Sequence, residues 1–404
     1  MGLSISKIDQ AISDFFFDYN EKSVVGVAVS GGSDSVALLL ALSKIIPAKN
    51  LNAVTVDHGL RAEAASEAAW VSQLCVTMGV DHNTLKVNNL APGPNLQARA
   101  RDVRYSLLAK WGQNCDIICL GHSKTDVAET FLMRLSRGSG IDGLATMASG
   151  WDYQNLSWAR PFLGFSREEL RQYLKANNQA WCDDPSNDDL KYKRVQIRQS
   201  QNQLDQLGLT TSRLAKTANR MSDVKKALTF ALKNIRPQLM RNDLGDVLLD
   251  RVKLAEIPTE FSERIMAEAL CWVGQQSYRP RNLSLRRAIV TKITRSLHGC
   301  VVIPQSDNFL RITREHKIVE SEEVSCPAIW DGRYYAPNYG KGYKIKSLGR
   351  VGLSACSDWR SANRPQTALI VSPSIWKGDQ LISAPLANFG KKDDVQVLPT
   401  PWEL

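Results

Sequence analysis

Long apolar runs are largely missing from this sequence of 404 residues. The longest, Val36 to Leu42, falls far short of the ~18 residues a helix needs to cross a bilayer, so no membrane partner is expected. Paired cysteines are missing as well. The eight cysteines never form a C-x-x-C pair; Cys115 and Cys119 come nearest, and they flank an apolar run. With five equally dispersed histidines, this argues against a structural zinc site or a disulfide framework and for buried free thiols. The N-terminal residues carry acids at Asp9 and Asp14 and no apolar core of a secretory leader, which makes the cytoplasm the expected compartment. Internal repeats, low-complexity tracts and the Gly-x-x-x-x-Gly-Lys-Ser/Thr loop of P-loop kinases are also absent.

What is present describes a globular chain. Hydrophobic residues make up 43% and charged residues 23%, which excludes an intrinsically disordered chain. At ~150 residues per domain the length predicts two or three domains. Lysine and arginine number 51 against 41 acids, a net charge of +10. Such an excess attracts polyanions, and nucleic acid is the first candidate partner.

The opening residues predict an amphipathic helix, with Ile5, Ile8, Ile12 and Phe15 or Phe16 at helical spacing. Strand-like runs follow at Val24 to Val29, Leu51 to Val56, Asn83 to Val87 and Asp116 to Leu120. Between them helical runs span Ser35 to Ile46, Ala62 to Met78 and Gln97 to Lys110, and a further one continues through Leu135. This rhythm predicts an α/β domain with a parallel sheet covered on both faces. Ligands then bind beyond the strand ends, just after Val29, Val56 and Leu120. Ser166-Arg167-Glu168-Glu169 reads as a capping box that starts a helix through Ala176. From Lys191 to Lys226 nine basic residues face only Asp205 and Asp223, and helical patterns continue to about Ile293. Short strands are expected at Val301 to Ile303, Phe309 to Ile312, Gly342 to Leu348 and Ala368 to Val371. The expected division is a catalytic α/β domain over 1–205, a mainly helical domain over 206–324 and a small β-rich module over 325–404.

The strongest chemical feature is Ser30-Gly31-Gly32-Ser33-Asp34-Ser35, directly after the first strand and opening the first helix. Two glycines let the backbone turn sharply. Hydroxyls and helix-start N–H groups then offer donors to an anion. Asp34 beside a phosphate suits a Mg²⁺ ligand; the plainer reading is a glycine-rich turn capping a helix. Gly138-Ser139-Gly140-Ile141-Asp142-Gly143 fits the dinucleotide pattern but follows a helix rather than a strand, so it reads as a helix stop and loop. Asp126 and Glu129 stand three apart on a helix, hence on one face, where they suit a ligand with ammonium groups or form a solvated acidic face. His122 could orient a phosphate or move a proton, or be structural. Asp57 and His58 either line a nucleotide pocket or close a turn. Arg101, Arg104, Arg194 and Arg198 are candidates for neutralising phosphate charge, with surface ion pairs as the alternative. Arg333-Tyr334-Tyr335 and Asp358-Trp359-Arg360 could stack exposed bases, although core packing suits most of these aromatics better.

Ser-Gly-Gly-x-Asp-Ser resembles the pyrophosphate-binding loop of the N-type ATP pyrophosphatases, which cleave ATP between the α and β phosphates. Further motifs follow in order: Val56-Asp57-His58-Gly59-Leu60-Arg61, Ala100-Arg101-Asp102-Val103-Arg104-Tyr105, Gly121-His122 with Asp126 and Glu129-Thr130, Arg137-Gly138-Ser139-Gly140, and Asp184-Pro185-Ser186-Asn187 with Arg194 and Arg198. Together, over about residues 24 to 198, they resemble the tRNA(Ile)-lysidine synthase family. Two positions depart from it: Thr125 stands where the family usually has Asp, and Val127 where it often has Gln. The resemblance implies ATP as co-substrate, held by Ser30, Gly31, Gly32, Ser33, Asp34 and Ser35 with Asp57 and His58, and Mg²⁺ on Asp34. It implies free L-lysine on Asp126 and Glu129, and catalytic roles for Asp34, His122, Arg101, Arg194 and Arg198. Its partner would be tRNA(Ile) with a CAU anticodon, whose wobble cytidine is adenylated and then joined to lysine at C2; a homodimer is compatible with it. A tRNA thiolase using the same adenylation is the alternative, against which the lack of C-x-x-C counts. A non-catalytic tRNA-binding protein of the same fold is a third reading.

Overall fold

The computed structural model describes residues 6–20, 22–59, 64–87, 93, 96–145, 147–183, 193–305 and 308–403. Ile5, Leu60, Arg61 and the segment Asp184 to Asn187, singled out above, lie outside the described residues. The chain divides into two compact units, Met1–Lys226 and Ala227–Leu404.

In the first unit the β-branched and aliphatic runs pair as strands, and the helical runs cross over between them. The helices α1 (Lys7–Phe15), α2 (Ser33–Ser43), α3 (Ala64–Met78) and α4 (Leu96–Trp111) alternate with strands β1 (Val25–Ala28), β2 (Leu51–Asp57), β3 (Asp81–Lys86) and β4 (Ile117–Leu120). After β4 come α5 (Lys124–Leu135), the single turn α6 (Ile141–Leu144), the hairpin β5 (Gly150–Tyr153) and β6 (Leu156–Ala159), and α7 (Arg167–Ala176). The sheet runs β3-β2-β1-β4-β6-β5, parallel except that β5 lies antiparallel on β6. The hairpin is not among the sequence expectations. Its turn residues Gln154 and Asn155 both take positive φ, a geometry that matches the twist of the flanking strands.

α2 is apolar all round because it is buried all round. Val36, Leu38, Leu39 and Leu42 are fully buried between the sheet, Ile8 and Ile12 of α1, and Leu170 and Leu174 of α7. On the opposite face of the sheet Leu108 and Ala109 of α4 cluster with Trp158 of β6. Since β2 and β4 flank β1 on opposite sides, the chain leaving β1 and the chain leaving β4 part at their carboxyl ends. That opens the crevice where open parallel sheets bind ligands. Short helices α8 (Lys193–Gln199) and α9 (Gln201–Gln206) lead into α10 (Thr211–Leu239). The first turns of α10 bury Leu214, Ala215 and Ala218 against Val127, Ala128 and Phe131 of α5.

The second unit holds helices and small antiparallel sheets. Strands β7 (Met240–Asp243), β8 (Asp246–Asp250), β9 (Arg295–Leu297), β10 (Cys300–Pro304) and β11 (Phe309–Arg314) form one sheet. Against it packs α12 (Thr259–Val273), whose Ile265, Met266, Ala269 and Leu270 are buried; α11 (Arg251–Glu256) and α13 (Asn282–Ile289) flank it. The helical pattern expected through Ile293 is interrupted by the β7–β8 hairpin, because Leu244 and Gly245 take positive φ and reverse the chain. After α14 (His316–Val319), strands β12 (Glu323–Ser325) to β18 (Gln396–Val397) form two further small sheets. The strand expected at Ala368 to Val371 is instead the helix Gln366–Ile370, and the strand follows at Pro373–Lys377. Pro365 starts that helix, and so short an apolar run does not by itself distinguish helix from strand. Tyr334 is buried with Trp330 in the core of this region. All eight cysteines are free.

Candidate active site

The loop after β1 turns where Gly31 takes φ +88°, a value open to glycine at little cost. Its hydroxyls are bound to one another and to the backbone. The Ser30 N–H donates to Ser35 Oγ at 3.1 Å, and Ser35 Oγ donates to the Gly32 carbonyl at 2.9 Å. From behind, the Cys182 N–H donates to the Gly31 carbonyl at 2.9 Å. β4 closes on the start of α2 at Gly121, where an added Cβ would lie 2.9 Å from the Asp34 carbonyl oxygen and the Ser35 Cα. At the start of α2 the Ser35 and Val36 N–H groups donate to the Gly32 carbonyl at 3.1 and 3.0 Å, and the N–H groups ahead of them are those a helix leaves without an internal acceptor. The loop thus has the features of a phosphate cradle: a tight bend, free amides and flanking hydroxyls.

Asp34, in the first turn of α2, meets Asp126 and Glu129 from α5. Ser123 joins the first two, its Oγ lying 3.1 Å from Asp34 Oδ2 and 2.9 Å from Asp126 Oδ2. Ser123 and Asp126 also form the capping box that starts α5. Glu129 is almost fully buried and collects Arg198 at 2.5 Å and Arg194 at 3.2 Å. At the centre lies Arg167 of α7, 3.2 Å from Asp34, 3.5 Å from Asp126 and 3.4 Å from Glu129. Burial raises the Asp34 pKa, with Arg167 opposing and the Asp126 charge adding to the rise. For Asp126 burial acts the same way, but Arg167 and the Ser123 N–H outweigh it and hold the carboxyl below its usual value. Asp34 is therefore a buried carboxylate short of positive charge, next to a phosphate cradle. Among the described residues no group of three or more His, Cys, Asp or Glu side chains is arranged to hold a metal alone, so a divalent cation on Asp34 would need phosphate and water oxygens as its other ligands.

On the other side of Asp126 the sign reverses. His122, directly after β4, has the cations of Arg160, Arg104 and Arg101 as neighbours, and burial chiefly pushes its pKa down to about 3. It is a neutral imidazole at physiological pH, and its buried Nδ1 has no hydrogen-bond partner among the described residues. Among the described residues Arg101, Arg104 and Arg160 pair with no carboxylate. Arg101 donates to Tyr105 Oη at 3.1 Å, and Arg160 to the Ala148 carbonyl at 2.9 Å. His58 joins this side, its pKa lowered by burial and then by Arg104. Asp57 closes a turn, its Oδ1 accepting the Gly59 N–H at 2.8 Å. The crevice is bipolar: carboxylates on one side, unneutralised arginines on the other.

Sequence reasoning did not single out Arg167, Ser123, Arg160 or Cys182 for this crevice. Arg167 appeared only as part of a helix start, because its sequence distance from Asp34 hides their contact. The two departures acquire local roles. Thr125 Oγ1 accepts the Arg167 N–H at 3.0 Å and so ties α7 to α5, while Val127 is core against α10.

A family model described as a PP-loop domain matches residues 4–204. Among solved structures, the chain is similar to the U34-tRNA thiolase NcsA from Methanococcus maripaludis at 16% identity and a TM-score of 0.45, covering 54% of this chain and 79% of that one. Among curated proteins it is 34% identical over 328 residues to the tRNA(Ile)-lysidine synthase of Anaplasma marginale, covering 76% of this chain and 70% of that one. It is 39% identical over 372 residues to the tRNA(Ile)-lysidine synthase of Ruegeria pomeroyi, covering 90% of this chain and 88% of that one. Identity at that level along nearly the whole of both chains, together with the loop and crevice just described, makes the chain a member of the tRNA(Ile)-lysidine synthase family.

Proposed function

We propose that the protein joins free L-lysine to C2 of the wobble cytidine in the CAU anticodon of tRNA(Ile), at the cost of one ATP. The observation that carries this reading is the bipolar crevice beside the loop after β1. A reaction that unites an ammonium-bearing amino acid, a triphosphate and an RNA needs both signs of charge within reach of each other.

The triphosphate of ATP is cradled by Ser30 to Ser35. Mg²⁺ on Asp34 would neutralise charge on the phosphates. The cytidine O2 attacks the α-phosphorus, a P–O bond to pyrophosphate breaks, and C2 becomes bonded to an adenylate oxygen. The lysine side-chain amine then attacks C2; the C–N bond forms, the C–O bond breaks, AMP leaves and one proton is lost. Adenylation matters because a carbonyl oxygen is otherwise a very poor leaving group. Asp126 and Glu129 hold the amino acid by its ammonium charge. Arg101, Arg104 and Arg160 stabilise the negative charge passed to the leaving groups, and neutral His122 is placed to exchange a hydrogen bond with them. Arg194 and Arg198 hold Glu129 in position. For the chain as a whole we propose a catalytic domain over 1–205, a tRNA-binding part over 206–324 and a small β-rich part over 325–404; separate hydrophobic clusters support setting the later parts apart from the first, while residues 214–218 pack on α5.

Incubation with tRNA(Ile), ATP and labelled lysine is expected to transfer label to the tRNA, and Asp34→Ala is expected to abolish the transfer. No label on tRNA from the wild-type protein refutes the reaction, and full activity of the variant removes the loop from it.

A further inference from the structure

Among the described residues, no other arginine is spread over three carboxylates as Arg167 is. Its three carboxylate contacts, at 3.2, 3.5 and 3.4 Å, lie at or beyond the long end of the usual ~2.7–3.2 Å range for N–H···O bonds. They go to three different residues, with no two-pronged grip on any one. Arg311 of the second unit offers the contrast, at 2.7 Å from Asp246 and 2.6 Å from Asp243 with its side chain 4% exposed. The Arg167 side chain is 21% exposed. Its root, by contrast, is fixed. Arg167 is the first residue of α7, behind the Ser166 capping box, and its N–H is held by Thr125. A guanidinium on a fixed root, spread over three carboxylates and partly solvated, is held by their summed field more than by hydrogen-bond geometry.

We propose that Arg167, which pairs with Asp126 and shares Glu129 with Arg194 and Arg198, is the cation displaced from these two carboxylates by the ammonium of the incoming substrate, and that nucleotide binding eases the displacement. The inference rests on the reading above, in which Asp126 and Glu129 receive lysine and Asp34 faces ATP. A site filled by its own cation binds an external one more weakly, in proportion to the time it is filled. Asp34 links the two substrates through Arg167. When Asp34 turns to the nucleotide, Arg167 keeps two of its three partners and gains the phosphates as new ones. Its hold on Asp126 and Glu129 loosens, and lysine competes with a weaker occupant. By linkage, lysine tightens nucleotide binding by the same factor.

Calorimetric titration of lysine into the full-length protein, with and without Mg²⁺ and α,β-methylene ATP, tests this. Wild-type protein is expected to bind lysine several-fold more tightly with the nucleotide analogue present. R167Q is expected to bind lysine about tenfold more tightly than wild type without nucleotide, and to gain nothing further from it. R167K, a point charge that cannot span three carboxylates, should fall between. An R167Q protein that binds lysine no more tightly than wild type, or that keeps the nucleotide effect, overturns the proposal. Should R167Q fail to fold, R167K decides, and an affinity at or below wild type overturns it. Wild-type protein that binds no lysine at all overturns the lysine reading itself, whereas lysine binding indifferent to Arg167 overturns this inference alone.

Discussion

His122 shows how position alone sets the chemistry of a residue. An exposed histidine is half charged near pH 6.5; this one, buried beside three arginines, titrates at about 3. Its imidazole is neutral near neutral pH, so an acid limb in the pH–rate profile above about pH 5 belongs to another group. The same shift has a stability consequence. Below 6.5, the ordinary histidine value, the unfolded chain takes up a proton that the folded chain refuses until about pH 3, so stability falls with pH through that window. Between pH 6.5 and about 5 this group costs at most ~2 kcal/mol, less for its partial exposure. His58 and His82, also lowered by burial, act in the same direction. Urea unfolding of H122N is expected to show a shallower loss of stability on acidification than wild type; an unchanged slope contradicts the assignment. Asp126 and Glu129 were legible as a same-face pair from their spacing. Arg167 was not, because a contact between residues 34 and 167 leaves no local trace.

At the scale of elements, the crevice depends on how closely β4 approaches the start of α2. Gly121 permits that approach, since a Cβ there would meet backbone atoms rather than a yielding side chain. Gly121→Ala is therefore expected to cost about 1–3 kcal/mol of stability and to weaken ATP binding more than lysine binding. Equilibrium dialysis with each ligand checks this, and equal losses for both would show that the strain is not local to the loop. The βα rhythm through α5 was readable because strands such as β1 and β4 are apolar at nearly every position and buried throughout, and stand between long helices. The hairpins β5–β6 and β7–β8 were not, since their four- or five-residue strands mix polar with apolar residues. Runs so short carry little periodicity, and their turns rely on positive φ at Gln154, Asn155 and Leu244, residues that do not announce a turn as glycine does.

Over the whole molecule, the net charge of +10 bears on how the substrate is captured. On α10, Arg213, Lys216 and Arg220 are exposed on the face away from buried Leu214, Ala215 and Ala218, and their spacing puts them on one stripe. If phosphates contribute to binding, log affinity for tRNA falls linearly with log salt. At least a tenfold loss is expected between ~50 and ~200 mM salt, as for two or more phosphate contacts. Filter binding of K216E/R220E should show weaker binding and a flatter salt slope; the wild-type slope in that variant would place the phosphate contacts elsewhere.

Local order in the chain decided what local order can. Alternation of strand and helix set the class of the catalytic domain, and the loop after the first strand showed where phosphate chemistry would sit, because both depend on residues a few positions apart. The tertiary structure decided the signs of charge around that loop. It brought Arg167 to three carboxylates from two other helices, left Arg101, Arg104 and Arg160 without acid partners among the described residues, and removed the charge from His122 by burial. Electrostatic energy depends on distance and on water excluded in three dimensions, and neither is written in the spacing along a chain.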